Sequence, residues 1–290
     1  MYDNEEQNTL TVTLRKHAVT WAAAIAGVVA LAALFASSLS ARAIATHGKT
    51  ASPKPTVVLV HGAWADGSSW SSVTKRLQND GYTVDVPPNP LRSLSGDSTY
   101  LASFLSTISG PIVLAGHSYG GAVITNAATG NAKVKALAYV DAYIPDQGQT
   151  LVQLTGAGSC FAVKDLTSVF NFVPIPGAPS EDLDTYVKPS VFPGCFANGL
   201  PAQRGAVLAA TQRPLTTAAL NEPSGVPAWK TIPSWALVGL HDHVIPPAGQ
   251  LAMARNAGAK ITEVHAPHLS MISDPAAVTK VIEQAAKATS

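Results

Sequence analysis

Charged side chains are scarce in this sequence. Asp, Glu, Lys and Arg together make up 13% of the 290 residues, and the formal net charge is only +1. Proteins that bind nucleic acid usually present a strongly basic surface, so this balance gives no electrostatic reason to expect nucleic acid as a partner. Hydrophobic residues account for 47% of the chain, which is typical of a globular protein with a sizeable core.

Cysteine is rarer still, and the sequence contains two, Cys160 and Cys195. Two cysteines alone cannot build a structural zinc site, which needs more ligands than that. In an exported protein the two thiols can form a disulfide. Closing a loop of 35 residues would contribute roughly 3–4 kcal/mol on the chain-entropy account. The alternative is a pair of unrelated buried thiols.

Long apolar runs are absent except for one near the N-terminus, at residues 18–35. Arg15 and Lys16 precede this run and small residues follow it, which is typical of an export signal, cleaved here after Ala43 or Ala45. A run of about 18 residues is also just long enough to span a bilayer, so a retained membrane anchor is the alternative. The sequence therefore predicts export to the medium, the periplasm or the cell surface, or else attachment to a membrane by this segment.

Composition divides the chain into three parts. Residues 1–45 form the export signal or N-terminal membrane anchor, residues 46–55 form a linker, and residues 56–290 form the folded domain. In that domain short apolar runs, such as residues 56–61 and 112–116, alternate with helical patterns. Continuous apolar strands that alternate with helices predict an α/β fold, with a mostly parallel sheet flanked by helices.

One region interrupts this alternation. Residues 144–233 contain many prolines, several phenylalanines, both cysteines and no clear strand pattern. Because a structureless loop of this length is uncommon in a compact domain, we interpret the region as a cap inserted between two strands. Ligands of α/β folds bind beside the carboxyl ends of the strands, so we expect the cap to lie over that edge of the sheet.

The segment Gly116-His117-Ser118-Tyr119-Gly120 lies between an apolar run and a helical pattern. The pattern G-x-S-x-G on a strand-to-helix turn is typical of a nucleophile elbow, in which glycines relieve the crowding of a tight turn. The serine hydroxyl then projects from the sheet edge, and the helix N-terminus behind it favours negative charge. The pattern alone is common, but this context makes Ser118 the candidate nucleophile.

A serine hydroxyl is a weak nucleophile and needs a base that is itself oriented by a carboxylate. After an elbow of this kind, the acid and then the histidine follow along the chain. Asp242 and His268 each come after a predicted strand, at its carboxyl end, so we expect them to be the acid and the base. Asp141 remains an alternative acid, and His265 an alternative base.

The oxyanion of an acyl-transfer reaction needs two preorganised N–H donors. One is expected from the residue after the nucleophile, Tyr119, and the other from the loop after the first strand, at Ala63. Trp64 and Trp70 flank this loop and are candidate residues of the substrate pocket. Five cap phenylalanines would either line an apolar pocket or form the core of the cap itself: Phe161, Phe170, Phe172, Phe192 and Phe196.

Five segments together carry a resemblance to a known family: VVLVHGAW, GHSYGGAVI, YVDAYIPDQGQ, LVGLHDHVIPP and HAPHLSMISDPAAV. In this order they resemble the alpha/beta hydrolase superfamily, in the branch of small serine carboxylesterases, methyl-ester esterases and hydroxynitrile lyases. The resemblance runs from about Thr56 to the C-terminus and is weakest across residues 150–230. It implies the alpha/beta-hydrolase fold, the triad Ser118, Asp242 and His268, backbone oxyanion donors at Ala63 and Tyr119, and no cofactor.

Two departures bear on the activity. The hydroxynitrile lyases of this branch carry a Thr after the first-strand His and a Lys after the catalytic His, where this chain has Gly62 and Leu269. Without the Lys charge, cyanohydrin cleavage lacks a group to stabilise the cyanide anion. His241 and His243 flank Asp242, but no further ligands at suitable spacing accompany them, so no metal site is predicted.

The sequence thus predicts a serine hydrolase that cleaves small to medium carboxylic esters through an acyl-enzyme. The expected partner is a small-molecule ester, with a membrane involved only if the N-terminal segment is retained. Three alternatives remain: a cofactor-free haloperoxidase or perhydrolase on the same triad, a hydroxynitrile lyase, and a receptor-like hydrolase that binds its ligand with little turnover.

Overall fold

A computed structural model of the protein describes residues 54–289. The predicted export signal or anchor, at residues 1–45, lies outside the described residues, as does most of the linker. No helix within residues 54–289 combines the length and the apolar composition that crossing a bilayer requires.

Nine strands and nine α-helices follow one another along the described residues. The strands are β1 (Thr56–Val60), β2 (Val84–Asp85), β3 (Ile112–His117), β4 (Val134–Val140), β5 (Phe170–Pro174), β6 (Leu183–Val187), β7 (Leu215–Thr216), β8 (Ser234–Gly239) and β9 (Lys260–Val264). The helices are α1 (Ser71–Asn79), α2 (Leu94–Ser106), α3 (Tyr119–Ala127), α4 (Leu151–Leu154), α5 (Ala202–Thr211), α6 (Thr217–Asn221), α7 (Pro247–Asn256), α8 (Ser270–Ser273) and α9 (Pro275–Ala288).

Six of the strands form the main sheet, in the order β2-β1-β3-β4-β8-β9. All of its neighbouring strands pair in parallel. Every residue of β3 and β8 is buried, which requires helices on both faces and explains the continuous apolar runs of these strands. Two helix pairs provide this cover, α1 with α9 and α2 with α3. The predicted α/β fold, a mostly parallel sheet with flanking helices, is confirmed.

The strand order reverses at one point of the sheet. From β1 the chain moves outward to the edge strand β2, then returns to the other side of β1 to form β3. The carboxyl ends of β1 and β3 are therefore neighbours, while the connections that follow these two strands leave in opposite directions. Such a switch point opens a crevice at the sheet edge, which is where α/β folds bind ligands.

The segment between β4 and β8 contains secondary structure that the sequence pattern did not predict. Strands β5, β6 and β7 form a small antiparallel sheet in that order, although residues 144–233 show no clear strand pattern in the sequence. These strands are short, and β5 is largely exposed and ends at Pro174. A proline is tolerated at the edge of a sheet but weakens any strand signal in the sequence.

A disulfide joins Cys160 to Cys195 within this segment. It connects the turn after α4 to the loop before α5. The backbone N–H of Cys160 also donates to the carbonyl oxygen of His243, at 2.8 Å. The covalent link therefore ties two distant parts of the segment together, close to the loop that follows β8.

The disulfide gives a stability prediction. Replacing both cysteines (Cys160→Ser with Cys195→Ser) should lower the free energy of unfolding by roughly 3–4 kcal/mol, because the bond restrains a 35-residue loop in the unfolded chain. Urea unfolding followed by circular dichroism measures this change. As a control, a reductant should destabilise the wild type and leave the double variant unaffected. Equal stability of the oxidised wild type and the double variant would contradict the prediction.

Candidate active site

Ser118 lies on a sharp turn between β3 and α3. Its backbone has φ 52° and ψ −123°, a conformation that is strained for a residue with a side chain. The turn is tight because a Cβ added at Gly116 would lie 2.5 Å from the carbonyl oxygen of Gly120. A Cβ at Gly120 would lie 2.6 Å from the carbonyl oxygen of Val60. Both glycines of the G-x-S-x-G pattern are therefore required by backbone packing against the turn and against β1.

The imidazole of His268 pairs with Asp242. His268 Nδ1 and Asp242 Oδ2 are 2.8 Å apart, and both side chains are fully buried. The same carboxylate accepts hydrogen bonds from the backbone N–H groups of Val244 (2.7 Å) and Ile245 (2.9 Å) and from Gln250 Nε2 (2.7 Å). These donors hold the carboxylate in one orientation, and the carboxylate in turn holds the imidazole. Because the Asp242 carboxylate accepts a hydrogen bond from Nδ1, the neutral His268 imidazole carries its proton on that nitrogen.

Burial decides the charge of this pair. It lowers the pKa of His268 to about 3, because the buried imidazolium would lose its hydration. Burial also raises the pKa of Asp242, and the hydrogen bonds from Ile245, Val244 and Gln250 oppose that rise. The ring is thus neutral at neutral pH, and its Nε2 atom has a lone pair available to accept a proton.

His268 Nε2 is buried and has no hydrogen-bond partner within residues 54–289. No hydrogen bond joins it to the Ser118 hydroxyl in this part of the chain, but His117, the residue before Ser118, contacts His268 directly. His117 Nε2 donates to the carbonyl oxygen of His268 at 2.9 Å, and the two rings are 4.7 Å apart. On its other side, the His268 ring contacts Phe196 at 5.2 Å. The imidazole is held firmly, with one nitrogen free.

The structure gives the two alternative residues other partners. Asp141 is fully buried near Asp242, and its carboxylate accepts from the backbone N–H groups of Gly239 (2.8 Å) and Ser270 (3.3 Å). No hydrogen bond joins it to the His268 ring within residues 54–289. His265 is exposed, and its ring is 5.6 Å from that of His241. Of the acids and bases expected from the sequence, the geometry brings together Asp242 and His268.

The loop after β1 packs directly against the serine. A Cβ at Gly62 would lie 2.7 Å from Ser118 Cβ, so only glycine allows this approach. His61 holds the loop, because its Nδ1 donates to the carbonyl oxygen of Gly62 (2.9 Å) and its Nε2 accepts from the backbone N–H of Asn89 (3.0 Å). The Asn89 side chain donates to the carbonyl oxygen of His61 at 3.0 Å. No pattern in the sequence singles out Asn89, so its two hydrogen bonds to His61 could not be predicted.

The backbone N–H groups of Ala63 and Tyr119 have no acceptor within residues 54–289. The first follows the tightly packed Gly62, and the second is in the first residue of α3. The Tyr119 side chain is anchored, because its hydroxyl donates to Asp97 Oδ2 at 2.7 Å. Both partners are buried, and burial raises the pKa of Asp97 while the hydrogen bond from Tyr119 lowers it. Free N–H groups at the turn can hold an oxyanion.

A cavity of about 570 Å³ lies in the cap, within the size range of small-molecule sites. Five aromatic residues line it: Trp64, Tyr143, Phe161, Phe170 and Phe172. Thr155, Thr185, Thr217, Gln153 and Asn221 provide polar groups, and no charged residue lines it. Phe192 and Phe196 are buried instead. Trp70 is also fully buried, with its ring 6.5 Å from that of His117, and it does not line the cavity.

Comparison with known proteins identifies a family. A family model described as the alpha/beta hydrolase family matches residues 57–281. One curated protein, a carbendazim hydrolyzing esterase from Nocardioides sp. (strain SG-4G), is 34% identical over 110 residues, which is 33% of this chain. The match spans about half (46%) of that relative's length.

Solved structures agree in fold. A pyrethroid hydrolase from Sphingobium faniae JZ-2 is 20% identical with a TM-score of 0.60, over 81% of this chain and 98% of that one. An extracellular alpha/beta-hydrolase from a Paenibacillus species is 20% identical with a TM-score of 0.67, over 80% of this chain and 99% of that one. At this identity the likeness shows the fold.

The Tyr119–Asp97 hydrogen bond gives a second prediction. Tyr119→Phe should lower the free energy of unfolding by about 1–3 kcal/mol, because it leaves a buried carboxylate oxygen without its donor. Urea unfolding measures the change. Tyr100→Phe is the matched control, since Tyr100 is 42% exposed and its variant should stay within about 0.5 kcal/mol of the wild type. Equal unfolding of the two variants would rule out a stabilising hydrogen bond.

Proposed function

The chain belongs to the alpha/beta hydrolase family, and on that premise we propose that it is a serine hydrolase that cleaves carboxylic esters. Ser118 is the nucleophile, His268 the general base and Asp242 the residue that orients the base. The observation that carries the proposal is the buried pair of His268 and Asp242, which leaves Nε2 unpartnered beside the elbow. A neutral, oriented imidazole with a free nitrogen is what a serine nucleophile requires.

The proposed reaction has two steps. As the Ser118 oxygen attacks the ester carbonyl carbon, its proton passes to His268 Nε2, and the C=O bond opens to an oxyanion. The N–H groups of Ala63 and Tyr119 hold that oxyanion, each contributing roughly 3 kcal/mol to the transition state. The imidazolium then gives its proton to the leaving alkoxide, which departs as the alcohol.

Water completes the cycle. His268 Nε2 takes a proton from a water molecule as its oxygen attacks the acyl-enzyme, and the proton returns to the Ser118 oxygen as the acid leaves. Asp242 stabilises the imidazolium in both steps and is not itself protonated. The residues supply every proton transfer, so the proposed mechanism uses neither a metal nor an organic cofactor. The name of the carbendazim hydrolyzing esterase supports an ester as the substrate.

Hydrolysis of a p-nitrophenyl ester series tests the proposal. Ser118→Ala should lower kcat by about 10⁴-fold or more, since it removes the attacking oxygen. Ser98→Ala is the matched control, because Ser98 is a buried serine on α2 whose hydroxyl donates to the carbonyl oxygen of Val123; its activity should persist. Comparable activity of the Ser118→Ala variant and the wild type would overturn the proposal.

The protonation state of His268 gives a pH prediction. Burial lowers the pKa of this imidazole and raises that of Asp242 to about 7, so the first proton that the pair takes up as the pH falls should go to the carboxylate, and kcat/KM should begin to fall at about pH 7. The acid limb should lie below that pH. Released alcohol quantified by chromatography gives the profile, with circular dichroism at each pH to confirm folding. A kcat/KM that stays constant down to about pH 5 while the protein remains folded would contradict the raised pKa of Asp242.

A further inference from the structure

The cap cavity and the candidate nucleophile are separated in this structure. Ser118 is 2% exposed and His268 is fully buried, and neither lines the cavity. The two N–H donors, at Ala63 and Tyr119, do not line it either. An ester group that reaches Ser118 from the cavity must therefore pass a barrier that the structure shows closed.

The mouth of the cavity is apolar and faces solvent. Val152, Val163 and Leu166 line it, and they are among the most exposed large hydrophobic residues of the described chain, at 54%, 37% and 48%. Exposed apolar residues grouped at the rim of a cavity are typical of a ligand entrance. Because the lining carries no charge, a charged group that entered would lose its hydration without gaining a partner.

Trp64 forms the wall between the cavity and the serine. Its ring lines the cavity and packs 5.8 Å from Phe196, whose ring in turn contacts His268. In the chain Trp64 follows Ala63, which provides the candidate N–H donor. The same side chain thus faces the cavity on one side and the candidate site on the other.

A hydrogen bond holds the Trp64 ring in this position, although the backbone of the residue is strained. Its backbone φ is 53°, in the left-handed region that large residues rarely adopt. The ring Nε1 donates to the backbone carbonyl oxygen of Thr185 on β6, at 2.9 Å, and a longer contact of 3.3 Å reaches the Thr185 hydroxyl. The ring also packs against Phe161 and Phe170, at 5.1 and 5.3 Å. Opening must therefore break the Nε1 hydrogen bond and these ring contacts, while relief of the strained backbone favours the change.

We propose that Trp64 is the gate and the specificity-determining residue between the cap cavity and Ser118. The cavity takes the neutral apolar group of the ester, up to the size of a two-ring aryl group, and excludes charged groups. This inference rests on the proposed ester cleavage at Ser118 and names its substrate class. When the Nε1–Thr185 hydrogen bond breaks and the ring turns aside, the bound ester reaches the serine.

Two esters test the cavity. The ratio of kcat/KM for 2-naphthyl acetate to that for ethyl acetate is measured in the wild type and in Ala162→Trp, which places a large ring at an exposed position of the cavity lining. The ratio should fall at least about tenfold, because the ring competes with the naphthyl group for space. Ala132→Trp is the matched control, since Ala132 is exposed and lies just before β4, at the amino end of that strand. Its kcat/KM ratio should equal that of the wild type. An unchanged ratio in Ala162→Trp would overturn the cavity assignment.

The gate is tested with Trp64→Phe, which keeps an aromatic ring and loses the Nε1 donor to Thr185. The kcat/KM ratio of 2-naphthyl acetate to ethyl acetate should rise roughly five- to tenfold, because the ring must turn farther aside for the naphthyl ester than for the small ethyl ester, and the lost hydrogen bond no longer opposes that larger movement. A merely structural contribution of Trp64 to the loop would change both esters equally. Equal changes would therefore overturn the gate.

A binding measurement separates this inference from the proposed function. Calorimetry measures the affinity of 2-naphthyl acetate for the Ser118→Ala protein, with and without Ala162→Trp. If the wild type cleaves neither ester and Ala162→Trp still weakens binding, the cleavage proposal fails and the cavity assignment stands. If binding is insensitive to Ala162→Trp, the cavity assignment fails whatever the turnover.

Discussion

The site depends on the close approach of two turns at the switch point of the sheet. Gly62, after β1, lies so near Ser118, after β3, that a single added carbon would overlap the serine side chain. Parallel pairing of β1 with β3 along their whole length forces these turns together. The strained backbone of Ser118 and the unpaired N–H groups of Ala63 and Tyr119 follow from the same contact. Each turn needs a glycine at its crowded position. Only then can the serine hydroxyl and the two backbone N–H groups lie close together.

Burial then determines the chemistry at that point. Away from water, the His268 ring loses its tendency to be charged, while the backbone and Gln250 donors around Asp242 keep the carboxylate in place. A neutral base oriented by a fixed carboxylate is ready to take a proton and to be stabilised once it has done so. The same burial leaves Ser118 only 2% exposed, and in the proposed gate the ester reaches it when the Trp64 ring turns aside.

Much of this could be predicted because it is local or periodic in the sequence. Apolar runs bounded by glycine and proline indicate the parallel strands, and the elbow and its two later partners occur at strand ends in the expected order. The rest depends on contacts between distant residues. The pairing of β5 with β6, the two hydrogen bonds of Asn89 to His61, and the Tyr119–Asp97 bond join segments whose composition does not single them out. Which of the five cap phenylalanines line the cavity depends on how the small sheet of the cap packs, and the sequence pattern does not predict that sheet.

Covalent labelling of the protein with a fluorophosphonate, followed by intact mass measurement and peptide mapping, tests most directly whether Ser118 is the nucleophile. Such reagents phosphonylate an activated serine and leave ordinary hydroxyls unmodified. We expect one phosphonyl group per chain, located on Ser118, and loss of labelling in the His268→Ala variant. A label on another residue, or labelling of Ser118 that persists at the wild-type rate without His268, would contradict this expectation.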